Sequence, residues 1–382
     1  MTIDVAKVRN ETPGCARVAH LNNAGAALPP RPVMDAVAGH LELEAMTGGY
    51  EAATENAQAI DRFYDAIAGL IGARSDEIAF VENATRAWDM AFYGIAFAPG
   101  ERVLTTESEY SSNAIAYRQR GVQVDVVPDG PDGTIDLDAL DAELRKGGVR
   151  LVSMNHIPTS NGLINPAADV GRLCRAAGAL FLLDACQSVG QLPVDVDEIG
   201  CDLLSATGRK YLRGPRGTGF LYARRDVLPQ IEPPFLDNMA AEWHAPDRYE
   251  LRPDAKRFET WERFVAGQIG LGVAADYASA LGINAITARI DVLATLLRAE
   301  LAAKPGVTIH DRGVLRSGAV TFTVDGRTPA EIVQAARARD INVNISEPRA
   351  HGYDPDAPEA VVRASVHYYN TEDELERLLA LI

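Results

Sequence analysis

Lys210 and Asp184 are the residues whose setting suggests chemistry most directly. Lys210 ends Ser205-Ala-Thr-Gly-Arg-Lys210, after an apolar run and before a turn punctuated by Gly214, Gly217 and Gly219. Asp184 closes the apolar run Ala179-Leu-Phe-Leu-Leu-Asp184. The other lysines offer little competition. Lys7 lies in a polar stretch, Lys146 precedes Gly-Gly and Lys304 precedes Pro-Gly. An amine behind a buried strand and a carboxylate at a strand exit are what pyridoxal phosphate requires. The amine forms a Schiff base, and the carboxylate pairs with the pyridinium nitrogen. Such a pair favours the protonated ring by about 1–3 pK units.

The phosphate of that cofactor needs an anion site. Asn83-Ala84-Thr85 precedes a helix-like run, and a helix starting near Thr85 presents free N–H groups and a positive dipole end. Thr207 and Arg209 stand close enough to Lys210 in sequence to close the cup. Gln187, three residues after Asp184, is placed to hydrogen-bond the ring hydroxyl. Taken singly, Asn-Ala-Thr reads as an ordinary helix cap, Asp184 as a strand-exit cap and Lys210 as a surface lysine. It is their common placement that argues for a site.

That placement follows from the elements. Glu77–Val81, Arg102–Thr106, Val122–Val127, Arg150–Met154, Ala179–Leu183 and Leu203–Ala206 are short apolar or β-branched runs. Helical patterns such as Ala167–Ala177 separate several of them. Apolar strands alternating with helices imply a mostly parallel sheet covered on both faces. Ligands bind such sheets beyond the carboxyl ends of the strands, so all these motifs should open on one edge. Residues 226–258 read as an irregular excursion and Val265–Leu281 as a long apolar helix. Helices over 286–303 and 328–339, strands over 318–324, 341–345 and 361–366, and a closing helix form a smaller α/β unit.

Composition sets outer limits. The 382 residues suggest two domains. A net charge of −16 argues against a nucleic-acid or anionic-membrane surface. No apolar run reaches the roughly 20 residues that span a bilayer, and the polar start lacks a signal-peptide core. Cys15, Cys174, Cys186 and Cys201 form neither CxxC pairs nor zinc-ligand spacings, so no metal is expected. Reduced thiols in a cytoplasmic protein are the simplest reading.

These motifs together resemble the class-V aminotransferase family. It is the fold type I pyridoxal phosphate group that includes cysteine desulfurases, selenocysteine lyases, isopenicillin N epimerase and hercynylcysteine sulfoxide lyases. The resemblance runs from His20-Leu-Asn-Asn-Ala-Gly-Ala-Ala-Leu-Pro29 through Asn83-Ala-Thr85, Glu109-Tyr-Ser-Ser-Asn113, Asp184-Ala-Cys-Gln187 and Thr207-Gly-Arg-Lys210. It ends at Arg363-Ala-Ser-Val-His-Tyr-Tyr-Asn-Thr371. It implies an α/β fold type I transferase. A large domain over 16–280 would carry a mostly parallel sheet of the seven-stranded type. A smaller C-terminal α/β domain would combine 281–382 with 1–15. It implies cofactor contacts from Ala84, Thr85, Tyr110, Asp184, Gln187, Thr207, Arg209 and Lys210. Lys210, Tyr110 and Asp184 would be catalytic. Arg363 matches the arginine that grips an α-carboxylate, a planar anion suited to a guanidinium. Thr159, Asn23 and Ala24 would complete the substrate side. The family also implies a homodimer with a shared site, and segments 48–52 and 256–264 are the candidates for crossing.

The chain departs from the desulfurases in several places. Arg349 falls where their loop cysteine would be, and no cysteine follows Cys201. Tyr110 stands where they carry a ring-stacking histidine, Thr159 replaces an asparagine and Arg209 a histidine. A phenol stacks equally well and at neutral pH donates a proton more readily than it takes one. Since a sulfur acceptor must be a thiolate, the missing loop cysteine argues against a persulfide-forming cysteine desulfurase, and the other departures bear on the substrate class. The expectation is a small-molecule amino-acid enzyme working through an α-carbanion. A β-eliminating C–S lyase on a cysteine derivative or sulfoxide ranks first, an aminotransferase or epimerase second, and a non-catalytic scaffold last.

Overall fold

The computed structural model describes residues 2–382, with the side chain of His351 excepted. Seven strands form the principal sheet. Numbered along the chain they are β1 (Ile78–Val81), β2 (Arg102–Thr106), β3 (Gln123–Val127), β4 (Val149–Asn155), β5 (Leu180–Asp184), β6 (Leu203–Thr207) and β7 (Gly219–Ala223). Their order across the sheet is β1-β7-β6-β5-β4-β2-β3. All neighbours pair in parallel except β7, which runs against both β1 and β6. β7 is short and follows a tight glycine turn, so sequence patterning does not separate it from the Lys210 motif.

Side-chain alternation divides the core into two layers. Phe181, Leu183, Leu204, Phe220 and Tyr222 belong to one apolar cluster. Their neighbours Leu180, Leu182, Leu203, Leu221 and Ala223 belong to the other. A period of two buries both faces only when helices cover both. The helix Ala57–Ile71 does so with Ile60, Phe63, Tyr64, Ile67 and Ile71, a helical stripe. The helix Val265–Leu281 is buried nearly all round and packs against it. On the other face the helix Ala84–Gly94 contributes Ala87, Trp88, Met90, Ala91 and Phe92.

A four-stranded antiparallel sheet lies toward the C-terminus, in the order Val307–Ile309, Ala319–Val324, Val361–Ser365, Asn344–Ser346. Two expectations need correction here. The 341–345 run is not one strand. Ile341–Asn342 pairs in parallel with Ala19–His20, while Asn344–Ser346 pairs with Val361–Ser365. The 226–258 stretch is not wholly irregular either, since Ala241–Ala245 and Arg248–Leu251 form an antiparallel hairpin. Among the described residues no single helix is long and apolar enough to cross a membrane. No group of three or more His, Cys, Asp or Glu among them could hold a metal.

Candidate active site

The carboxyl ends of β1, β2, β4, β5 and β6 surround one cavity of about 400 Å³. Ala84, Thr85, Tyr110, Thr159, Asp184, Gln187, Thr207, Arg209 and Lys210 line it together. Residues as far apart as 84 and 210 meet because parallel strands deliver their exits to the same edge.

One wall is the start of the 84–94 helix. The Asn83 side chain caps it by accepting from Arg86 N at 2.9 Å. The N–H groups of the first turn have no partners within the helix, so this end can receive an anion. Gly219 of β7 presses against it. A Cβ there would lie 2.6 Å from Ala206 O and 2.9 Å from the Asn83 carbonyl carbon, so any side chain would push the helix off its seat.

Lys210 follows β6. Burial pushes its ammonium below the usual lysine range; Arg209 and Arg363 act in the same direction, while Asp184 opposes them. A larger share of neutral amine makes a better nucleophile. Asp184 ends β5, is 8% exposed and accepts from Cys186 N at 3.0 Å. Cys186 also faces the cavity. Burial first, and Asp184 second, push its thiol well above the ordinary value, so it is neutral. Gln187 donates to Ala24 O at 3.1 Å and to Thr159 Oγ1 at 3.3 Å, while its Oε1 is buried with no partner.

Arg363 enters from the four-stranded sheet. It is 5% exposed and donates from Nη1 to Thr159 O at 2.9 Å and Thr159 Oγ1 at 2.6 Å. Its buried Nε has no partner. Tyr110 begins the helix Ser111–Arg120 and is 40% exposed over the cavity mouth.

Several expected contacts are placed differently. The Asn23 amide is spent on His20 O, Ser365 O and Asn370 Oδ1, and its Oδ1 receives Tyr369 OH, so no edge is left for a substrate. Ala24 reaches the site only through its carbonyl, which holds Gln187. Arg209 lines the cavity but donates to Gly25 O, and the Thr207 hydroxyl leans toward Thr218 O at 3.4 Å. Sequence reasoning does not single out Trp88, Asn155 and Ile157, which also line the cavity. Asn155 is the last residue of β4, and the strand-end rule that found Asp184 could have found it.

The donor set fits pyridoxal phosphate. It offers an amine, a carboxylate, a helix start with a threonine hydroxyl, and an unpartnered amide oxygen within one cavity. A model of the family described as aminotransferase class-V matches residues 19–378. The chain belongs to the class-V aminotransferase family. It is a pyridoxal phosphate enzyme with the fold type I architecture. A probable cysteine desulfurase of Methanothermobacter thermautotrophicus is 30% identical, over 97% of this chain and 95% of the relative. The apo structure of a cysteine desulfurase from Thermococcus onnurineus NA1 superposes with a TM-score of 0.91 at 26% identity, covering 100% of this chain and 97% of the other. A C-DES variant with glycine covalently linked to its pyridoxal phosphate shares the fold, with a TM-score of 0.87 at 24% identity, covering 97% and 98%.

These relatives overturn one expectation. The exclusion of cysteine desulfurase chemistry, and the ranking of a separate β-eliminating lyase above it, do not stand. That exclusion rested on one missing thiol in the 341–353 segment, and an acceptor thiol need not belong to the chain. In this class-V member the segment is closed down: Tyr353 N donates to Glu107 O at 2.7 Å and Arg349 Nε to Ala357 O at 3.0 Å.

Proposed function

We propose that this enzyme is a cysteine desulfurase that passes the sulfur of L-cysteine to a thiol supplied from solution. The observation that carries this reading is the meeting of Lys210, Asp184 and Thr159 at one cavity, with Arg363 bonded to Thr159 from the four-stranded sheet, on a chain related over 97% of its length to a probable cysteine desulfurase. When bound, pyridoxal phosphate supplies an electron sink for the substrate α-carbon. Lys210 holds the cofactor covalently and moves a proton at that carbon. Asp184 keeps the ring nitrogen protonated. Thr85 and the 84–94 helix start would hold the phosphate, Thr207 and Arg209 line the same cavity with their side chains bonded to Thr218 O and Gly25 O, and the unpartnered Gln187 Oε1 would serve the ring hydroxyl. Arg363, with its Nε unengaged, receives the α-carboxylate beside Thr159. Tyr110, which lines the cavity, would cover the ring and shield it from water.

In the net reaction the Cβ–Sγ bond of cysteine breaks and an S–S bond to the acceptor forms. The acceptor's proton ends on carbon, so L-cysteine and a thiol become L-alanine and a persulfide. The chain's own thiols are poorly suited to this attack, which requires a thiolate. Cys174 and Cys201 are buried in the core, Cys186 is held neutral, and Cys15 is half-buried away from the cavity with its thiol pushed up by burial. The test is to incubate the loaded enzyme with L-cysteine and dithiothreitol. Alanine and sulfide should appear in equal amounts, and Lys210→Ala should produce neither. Pyruvate and ammonia in place of alanine would remove this reading.

Three further features belong to the same reading. Residues 16–280 and 281–382 with 1–15 are taken as two domains, supported by the separate seven-stranded and four-stranded sheets, with the short Ala19–His20 and Ile341–Asn342 pairing as the one ladder across the boundary among the described residues. A homodimer is supported by exposed apolar side chains near the 48–52 and 256–264 segments. Tyr50 is 74% and Trp261 54% exposed, and both line one cleft with Arg263. A reduced, cytoplasmic setting accords with four unpaired cysteines. Sedimentation velocity of the loaded enzyme should give a dimer; a monomer at micromolar concentration would refute the shared site.

A further inference from the structure

The cavity is backed by a buried acid that the reaction above does not use. Glu109 is 2% exposed, yet its carboxylate meets five donors. Oε1 accepts from Tyr110 N at 2.6 Å, Asn113 Nδ2 at 3.0 Å and Asn155 Nδ2 at 2.7 Å. Oε2 accepts from the Thr105 hydroxyl at 2.6 Å and the Tyr117 hydroxyl at 2.7 Å. None of these partners is a cation. A carboxylate is costly to bury, and this one is tolerated because its lone pairs are filled. Burial raises its proton affinity, and the hydrogen bonds from Thr105, Tyr117, Tyr110 and Asn113 oppose that shift.

The placement of the five donors suggests what the acid is for. Thr105 belongs to β2, Asn155 to β4, and Asn113 and Tyr117 to the 111–120 helix. Glu109 therefore ties two strands and one helix at the point where the cavity wall is made. Tyr110, Asn113 and Asn155 all line the cofactor cavity, and all three bond to the same oxygen, Oε1. Tyr110 has no side-chain cap bond of its own at the helix start. Its ring direction is set by a backbone whose N–H is pinned by Glu109.

We infer that Glu109 is a positioning residue, which sets the Tyr110 ring and the Asn113 and Asn155 amides against the bound cofactor. It acts by reach rather than by charge. An amide of the same length keeps an acceptor for the three N–H donors and turns its NH2 to the two hydroxyls, which can accept as well as donate. An aspartate keeps the charge but is one methylene too short to serve both sets of donors. The inference rests on the cofactor cavity and not on which bond the enzyme breaks.

The test compares Glu109→Gln and Glu109→Asp, each loaded with pyridoxal phosphate. The readouts are the visible circular dichroism of the bound cofactor and its dissociation constant, neither of which needs turnover. E109Q should keep the sign and amplitude of the dichroic band and a cofactor affinity within roughly threefold of the parent. E109D should lose at least about half the band and bind the cofactor about tenfold more weakly, as expected for losing a buried hydrogen bond or two. The reverse pattern, with E109D normal and E109Q impaired, would assign an electrostatic role and overturn the proposal. Two variants both indistinguishable from the parent would overturn it as well. If alanine formation failed in the parent while the dichroic pattern held, the sulfur-transfer reading would fall and this one would stand.

Discussion

Arg213 and Arg363 are both buried guanidinium groups, 1% and 5% exposed, in opposite kinds of surroundings. Arg213 is fully engaged. Nε donates to Leu28 O at 2.8 Å, Nη1 to Tyr368 OH at 2.6 Å and Nη2 to Thr12 Oγ1 at 2.5 Å. The rings of Tyr277, Tyr368 and Tyr369 surround it at 5.8, 5.2 and 4.6 Å. Arg363 instead holds one residue, Thr159, and keeps its Nε buried without a partner. Satisfied, a buried cation is a structural tie between distant segments. Left incomplete, it is a standing cost that an incoming anion relieves.

Paired substitutions would break the comparison most directly. Replacing Arg213 by Met strands three buried polar partners and should cost about 3–5 kcal/mol of unfolding free energy, with or without cofactor. Denaturant unfolding checks it; unchanged stability would mean the cage is ornamental. Arg363→Ala should leave stability unchanged or slightly higher, yet lower kcat/KM for cysteine about 100-fold, through loss of charge-assisted bonds worth about 1.5–3 kcal/mol each. Steady-state kinetics beside a melt decides it. A variant that melts early with normal KM would exchange the roles of the two arginines.

A smaller effect extends the comparison to an anion. Glu259 is buried and accepts from Tyr64 OH at 2.8 Å and Phe80 N at 2.9 Å, but burial dominates and raises its pKa from 4.5 to about 7. The folded state therefore holds a proton that the unfolded state releases. This group's contribution to stability is complete below about pH 4.5 and is lost as pH rises through about 7, by roughly 3 kcal/mol. Glu259→Gln should flatten the decline over that window in a pH series of unfolding curves. An unaltered slope would show that the acid ionises freely in the fold.

Much of this site was legible in the one-dimensional pattern. Apolar runs located the strand exits, and the exit rule carried Thr85, Asp184, Gln187 and Lys210 to one edge. The helix Ala167–Ala177 and the helix Val265–Leu281 have the expected bounds. β7 was not legible, because five residues after a glycine turn give too little alternation to assign a strand. Asn23 looked like a substrate contact because it stands in Asn-Asn-Ala-Gly. Its partners His20, Ser365 and Asn370 show that the amide is consumed in joining the N-terminal segment to the C-terminal sheet. In the sequence Glu109 is only the first residue of a motif, since nothing in Glu-Tyr-Ser-Ser-Asn shows that five donors converge on it.

The sequence alone determined the cofactor chemistry, because strand periodicity locates exits and the residue types at those exits are local facts. It did not determine which buried polar groups are free to work. Arg213 and Arg363 are the same residue type, yet their partners lie across the chain, at Thr12 and Tyr368 for one and Thr159 for the other. Whether a guanidinium or an amide has a donor or acceptor to spare depends on groups brought together only by packing. That accounting belongs to the tertiary structure, and it decided that Asn23 and Arg213 hold the fold while Gln187 and Arg363 keep an edge in reserve.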